Sequence, residues 1–199
     1  PASYCGVFAL KPTFGQHSLA GIQGLSHSLD TLGWMARSAD DLELMRCALL
    51  GEPFAPLPDV QPRLRLCRTH EWPLMTPEGA EVFNATGRRL TEQGLVIGEL
   101  RLPEEIAGLF EAQKTIMAYE ACRTLTADDT HMSAPLLALL RTGQGVSDTA
   151  YAEAQALAAT GHIALAALMQ DCDALLVPAA PGEAPEIGRA TRLNSSHGY

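Results

Sequence analysis

Nothing in these 199 residues approaches the roughly 20 consecutive apolar residues that cross a bilayer, so no membrane span is expected. Positive charge is also scarce. Fourteen lysines and arginines stand against 23 acids, a net charge of −9, and phosphate backbones are repelled by such a balance. No nucleic-acid partner is expected. Arg63, Arg65 and Arg68 come closest to a basic cluster, but their spacing suits the outward face of a strand better. Paired cysteines are missing as well. Cys5, Cys47, Cys67, Cys122 and Cys172 are scattered singly and mostly among apolar neighbours, which argues for buried thiols and against a secreted disulfide framework. A reducing, cytoplasmic setting is the default expectation. Cys67-x-x-His70 is the one metal-like spacing, and a tetrahedral site would need two further ligands that no neighbouring residue offers. No metal is expected on that ligand count. Gly143-Gln144-Gly145 reads as a turn and not a phosphate loop, because it has no lysine and follows no strand.

What is present is an ordinary globular composition, 47% hydrophobic and 19% charged, long enough to bury one core. Ser38-Ala39-Asp40-Asp41 starts a helix, with a serine cap and acids at the positive end of the dipole. Gly51 and Pro53 end it. Leu64 to Cys67 reads as a strand. Thr76-Pro77-Glu78 opens a second helix, with proline at its favoured first position, and Gly94 closes it. Leu95 to Leu100 is strand-like, and Pro103 opens a long helical stretch to about Thr126. Ser133 and Ser147 look like caps of two more helices, the second alanine-rich to about Gln170. Ala174 to Val177 is a short apolar strand running into the stiff segment Pro178-Ala179-Ala180-Pro181-Gly182. Strands alternating with helices predict an α/β fold, a mixed and mostly parallel sheet layered with helices. The proline-rich residues 55–62 are the only internal boundary worth weighing, and the domain is not divided there.

The opening, Pro1-Ala2-Ser3-Tyr4-Cys5-Gly6-Val7-Phe8-Ala9-Leu10-Lys11-Pro12-Thr13-Phe14-Gly15, resembles the second half of the amidase-signature sequence. Val7 to Leu10 should form a strand that Pro12 stops. The likeness continues through Ser26-His27-Ser28-Leu29-Asp30-Thr31-Leu32-Gly33-Trp34-Met35-Ala36-Arg37-Ser38-Ala39-Asp40-Asp41-Leu42, with Trp34 where many members have proline. Ile116-Met117-Ala118-Tyr119-Glu120-Ala121 resembles a helix common in bacterial amidases, and Asp173 to Gly182 a strand and loop near the family's C-terminal region. The resemblance implies a hydrolase that cleaves carboxamide C–N bonds to a carboxylate plus ammonia or an amine, through a Ser–cis-Ser–Lys triad and without cofactor. A small-molecule amide is the implied substrate, and a homodimer of the full-length protein is compatible with it. None of the triad maps onto a residue here: Ser3 and Lys11 both follow the nucleophile loop in the family pattern. The expectation is therefore a truncated amidase-signature domain over residues 1–188, inactive by itself. Residues 189–199 leave the pattern and read like translated vector or adaptor sequence.

Other readings stay open. Within the family they are the tRNA-dependent amidotransferase type, passing ammonia to a partner protein and a charged tRNA, and an allophanate-hydrolase type. A non-catalytic interaction or scaffold domain is the alternative of another class. Ser26, His27 and Asp30 could be assembled into a hydrolytic triad, but residues this close in one loop rarely point productively at one another. Asp128-Asp129-Thr130-His131 reads as a polar helix exit. No catalytic residue is assigned. For substrate contact, the helix around Gln113 to Tyr119 and the loop from Pro178 are the pocket-wall candidates, and Tyr119 is the substrate-binding candidate, with a ring and a hydroxyl to offer. A core tyrosine with a satisfied hydroxyl is the alternative.

Overall fold

The computed structural model describes residues 2–54, 60–125 and 132–186. They divide into two compact units, each interleaved along the chain. The first comprises residues 2–6, 60–107 and 160–184, the second residues 7–54, 108–125, 132–159 and 185–186.

The first unit opens with a single helical turn, α1 (Ala2–Cys5), and is built on three parallel strands. β3 (Leu64–Arg68) lies between β4 (Ile97–Arg101) and β5 (Ala174–Leu176). The registers place Leu64 against both Ile97 and Ala174, and Leu66 against both Glu99 and Leu176. A polar clamp fixes the β3–β5 pairing: Asp173 Oδ2 accepts from the Arg63 backbone N–H at 2.7 Å, and Asp173 Oδ1 from Arg63 Nη2 at 2.9 Å. These hydrogen bonds, the side chain's first and the backbone's next, hold the Asp173 carboxyl down to about 2. Helix α3 (Pro77–Glu92) starts where Thr76 Oγ1 accepts from Gly79 N and packs Gly87 onto Leu66, leaving no room there for a methyl group. Cys67 is wholly buried, and burial pushes its thiol up. His70 Nε2 lies 3.0 Å from the Pro103 carbonyl oxygen. Thr76 N donates to Pro181 O at 2.8 Å, seating the proline-rich loop on the start of α3.

In the second unit β1 (Phe8–Leu10) pairs antiparallel with β2 (Trp34–Ala36). Trp34 is buried and its indole N–H donates to Leu42 O at 3.0 Å, which anchors helix α2 (Ala39–Leu50). Ser38 Oγ caps α2 by accepting from Asp41 N, and Gly51 ends it in the left-handed conformation. Helix α2 buries Cys47 and half-buries Leu42 and Leu50, yet also leaves apolar side chains in water. Leu44, Met45 and Leu49 are exposed, while the ion-paired Glu43 and Arg46 are half-buried. Helices α4 (Leu109–Thr124) and α5 (Ala134–Gln144) pack tightly, and the first turns of α6 (Asp148–Leu168) close a small core of Ala112, Ile116 and Ala154 with Leu29 and Leu157 against it. The last turns of α6, from Thr160, belong to the first unit.

The α/β class is as expected, parallel sheet included. Three details differ from the sequence reading. The helical stretch from Pro103 is broken into a short 3-10 turn (Glu104–Ile106) and α4, with Gly108 at the N-cap of α4 in place of the preferred serine or aspartate. Gly143 lies inside the last turn of α5 and not in a turn, because α5 approaches α4 so closely that a methyl group there would overlap the Ala118 carbonyl oxygen. The basic residues do not gather on one strand face. Arg63 is tied to Asp173, Arg65 lies over Gly98, and Arg68 pairs with Glu99 and Asn84. Asp128 to His131 and residues 189–199 lie outside the described residues.

Candidate functional site

Glu120 is the most conspicuous polar residue of the second unit. It sits on α4 one turn beyond Ile116 and two beyond Ala112, a spacing that carries it into the apolar face. Only 1% of it is exposed. Oε2 accepts from Ser26 Oγ at 2.7 Å and from Ser28 N at 3.0 Å, and Oε1 from Ser28 Oγ at 2.7 Å and from the Tyr151 hydroxyl at 2.6 Å. His27 Nδ1 stands 3.3 Å from Oε2, with its own ring largely in solvent. Burial alone would discourage the charge, but the hydrogen bonds from Tyr151, Ser26 and Ser28 outweigh it and hold the carboxyl below its usual range. Tyr151 shows the reciprocal effect: burial, then its bond to Glu120 and that residue's charge, push its phenol up to about 12. An ionised carboxylate is thus bound by four donors from two segments.

Tyr119, the residue singled out for substrate contact, lies next to this group. Its ring stacks on Tyr151 with centroids 4.0 Å apart and planes 10° from parallel, and the Arg123 guanidinium lies 3.4 Å from its centroid. The hydroxyl donates to Asp148 Oδ1 at 2.8 Å, and this bond, followed by burial, raises the phenol's affinity for its proton. What Tyr119 can still present to a ligand is its ring edge.

Ser26, His27 and Asp30 do not form a triad. Ser26 gives its hydroxyl proton to Glu120, and Asp30 Oδ2 accepts from the backbone N–H groups of Leu25 and Ser26 at 2.8 and 2.9 Å. Asp30 therefore shapes the turn and does not orient the imidazole. Leu29 N and Asp30 N both return to Ser26 O, closing the same turn. Ser3 falls in α1, and Lys11 is exposed just past β1. Sequence reasoning missed Glu120, Ser28 and Tyr151. A signal for the first did exist, since an acid that follows Ala112 and Ile116 at steps of four sits in an apolar helical stripe. Ser28 and Tyr151 left none, because the contact is made across more than 30 residues.

In the first unit a groove of about 590 Å³ runs between α3 and the strand face carrying Leu66 and Ile97. Arg68, Asn84, Arg88, Thr91, Glu92 and Glu99 edge it. Arg68 is occupied by Glu99 and Asn84, and Arg88 by Glu81. Among the described residues no group of three or more His, Cys, Asp or Glu is arranged to hold a metal ion, and no helix is long and apolar enough to cross a membrane.

Parallel strands layered with helices, and a serine-rich turn locked to a buried acid, define an α/β protein with a polar centre built into its helical unit. The chain belongs to the amidase family: the family model, described as Amidase, matches residues 1–198. A 2-amino-5-chloromuconic acid deaminase from Comamonas testosteroni is 31% identical over 94% of this chain and 43% of its own length. A glutamyl-tRNA(Gln) amidotransferase component from Thermus thermophilus, its A-type polypeptide, is 25% identical over 94% of this chain and 48% of its own. A crystal structure described as an amidase superposes with a TM-score of 0.84 at 27% identity, covering 94% of this chain and 44% of that one. The chain thus spans a little under half the length of the relatives it matches. The 6-aminohexanoate cyclic dimer hydrolase shares the fold, with a TM-score of 0.72 at 20% identity.

Proposed function

We propose that this chain supplies one part of a cytoplasmic serine hydrolase that cleaves small carboxamides to a carboxylate and ammonia or an amine. The observation carrying the reading is the superposition of nearly the whole chain on a solved amidase. The Ser–cis-Ser–Lys triad implied by the family likeness is supplied, in this reading, by sequence outside these 199 residues. There lysine would deprotonate the nucleophile through the bridging serine, and water would cleave the acyl-enzyme. Tyr119 offers substrate its ring edge. The loop at Pro178 is a separate candidate contact, seated on α3 with Gly182 packed against Thr76.

Released ammonia tests this. The purified 199-residue chain, given a panel of aliphatic and aromatic amides, should release none above a buffer blank. A longer polypeptide that includes the family's remaining sequence should release it unaided. Turnover by the short chain that Ser3→Ala abolishes would overturn the reading and make Ser3 a nucleophile. In the longer protein Tyr119→Ala, which removes the ring, should raise KM for bulky amides and leave kcat nearly unchanged, whereas Tyr119→Phe, which keeps it, should leave KM close to wild type. The second reading, a component of a tRNA-dependent amidotransferase, is favoured by the likeness to the Thermus thermophilus protein. It predicts activity only with a partner protein and glutamine.

A further inference from the structure

We propose that Glu120 is an acid-released latch: its ionised carboxylate straps the turn at residues 24–30 onto α4 and α6, and protonation lets that turn go.

The geometry makes the strap depend on charge. Glu120 accepts from Ser26 Oγ, Ser28 N, Ser28 Oγ and the Tyr151 hydroxyl, so every direction around the two oxygens is filled by a hydrogen to be accepted. A carboxylic acid must donate one proton of its own; a serine or tyrosine hydroxyl can rotate to accept it, but Ser28 N–H cannot. Neutralising the group therefore turns several charge-assisted hydrogen bonds into weaker neutral ones at once. With the strap weakened at both oxygens, the least costly relief is for the turn to lift away into water. The turn is the partner that yields, because α4 and α6 are continuous helices of 16 and 21 residues.

The charged and titratable surroundings are few. From the turn itself, His27 Nδ1 faces Oε2, and Asp30 is engaged with the backbone of Leu25 and Ser26. From α6 comes Tyr151, with Asp148 reached through Tyr119. From α4 come Tyr119, stacked on Tyr151, and Arg123 over its far face. No second carboxylate among them touches Glu120. The sign follows from a carboxyl held below its usual range: the strap is in place above the unfolded value and is lost as pH falls through the lower, folded one.

Hydrogen exchange of the intact 199-residue chain between pH 7 and pH 3 reads this directly, as protection factors corrected for the intrinsic pH dependence of exchange. Amides of residues 25–31 should lose protection at least tenfold at the acid end, while those of α2 change less than threefold. Ser28→Ala removes one hydroxyl donor and leaves the backbone N–H of that residue in place, and it should move the release to higher pH. Glu120→Gln should leave the turn poorly protected at every pH. Should Glu120→Gln not fold, Tyr151→Phe substitutes for it, with the same upward movement of the release. Protection of the turn that ignores pH, or a release that Ser28→Ala and Tyr151→Phe leave in place, would overturn the latch. So would loss of α2 and the turn together, or a release abolished by Asp30→Asn.

Discussion

Glu120 and Tyr119 are adjacent in sequence and opposite in role. Tyr119 points to where its hydroxyl reaches Asp148, and Glu120 turns into the unit's interior. Replacing Glu120 by Gln keeps the shape but removes the charge that its four hydrogen bonds share and obliges hydroxyl partners to turn and accept from the amide, which should cost about 1.5–3 kcal/mol of stability, the order of a hydrogen bond to a charged group. Urea unfolding monitored by circular dichroism measures it, and a change below about 0.5 kcal/mol would contradict the account. The wild-type advantage over the Gln variant should be full at neutral pH and shrink as pH falls through the depressed folded value, because the carboxyl then takes up a proton. At this scale the sequence was only partly legible. Ser26 and His27 were visible as polar groups in a turn, yet their partner lies more than 90 residues away and nothing local announces it. Tyr151 is equally silent, an aromatic residue among alanines whose hydroxyl is completed only by folding.

Secondary-structure elements were far more legible, because their ends are written in local chemistry. The oxygens of Ser38, Thr76, Ser133 and Ser147 accept from backbone N–H groups three residues on, as capping chemistry requires. What local chemistry cannot state is distance to another element. Gly143 looks like a turn residue by composition, but it is a helical residue selected for having no side chain where α5 meets the Ala118 carbonyl. Gly143→Ala should force the two helices apart and lower stability by about 1–3 kcal/mol, the usual range for overpacking a tight contact. The same change in an exposed helix would be stabilising, so the sign alone discriminates. A thermal melt of the variant at or above wild type would refute the contact. Strand β2 escaped notice for a related reason: three residues leave no periodicity, and the pairing of Leu10 with Trp34 appears only in the fold.

At the scale of the whole chain, the α/β class was legible from the alternation of strands and helices, whereas the division into interleaved units was not, since it depends on which distant segments meet. The exposed apolar residues of α2 belong here as well. Its ion pair is half-buried while Leu44, Met45 and Leu49 face water, and exposed apolar stripes of this kind bind hydrophobic dyes and promote association. The chain should enhance anilinonaphthalene sulfonate fluorescence at neutral pH. Replacing Leu44 and Leu49 by Ser should reduce that signal by half or more without lowering the melting temperature. An unchanged signal would place the dye elsewhere. The clamp between Arg63 and Asp173 has a consequence in time. It joins residues 110 positions apart, and at 5–20 residues per second the ribosome leaves β3 waiting about 5–20 s for β5. For that interval one edge of the β3–β4 pair is open to any strand that passes, so the yield of folded chain should fall as translation slows and rise when a chaperone shields nascent polypeptides.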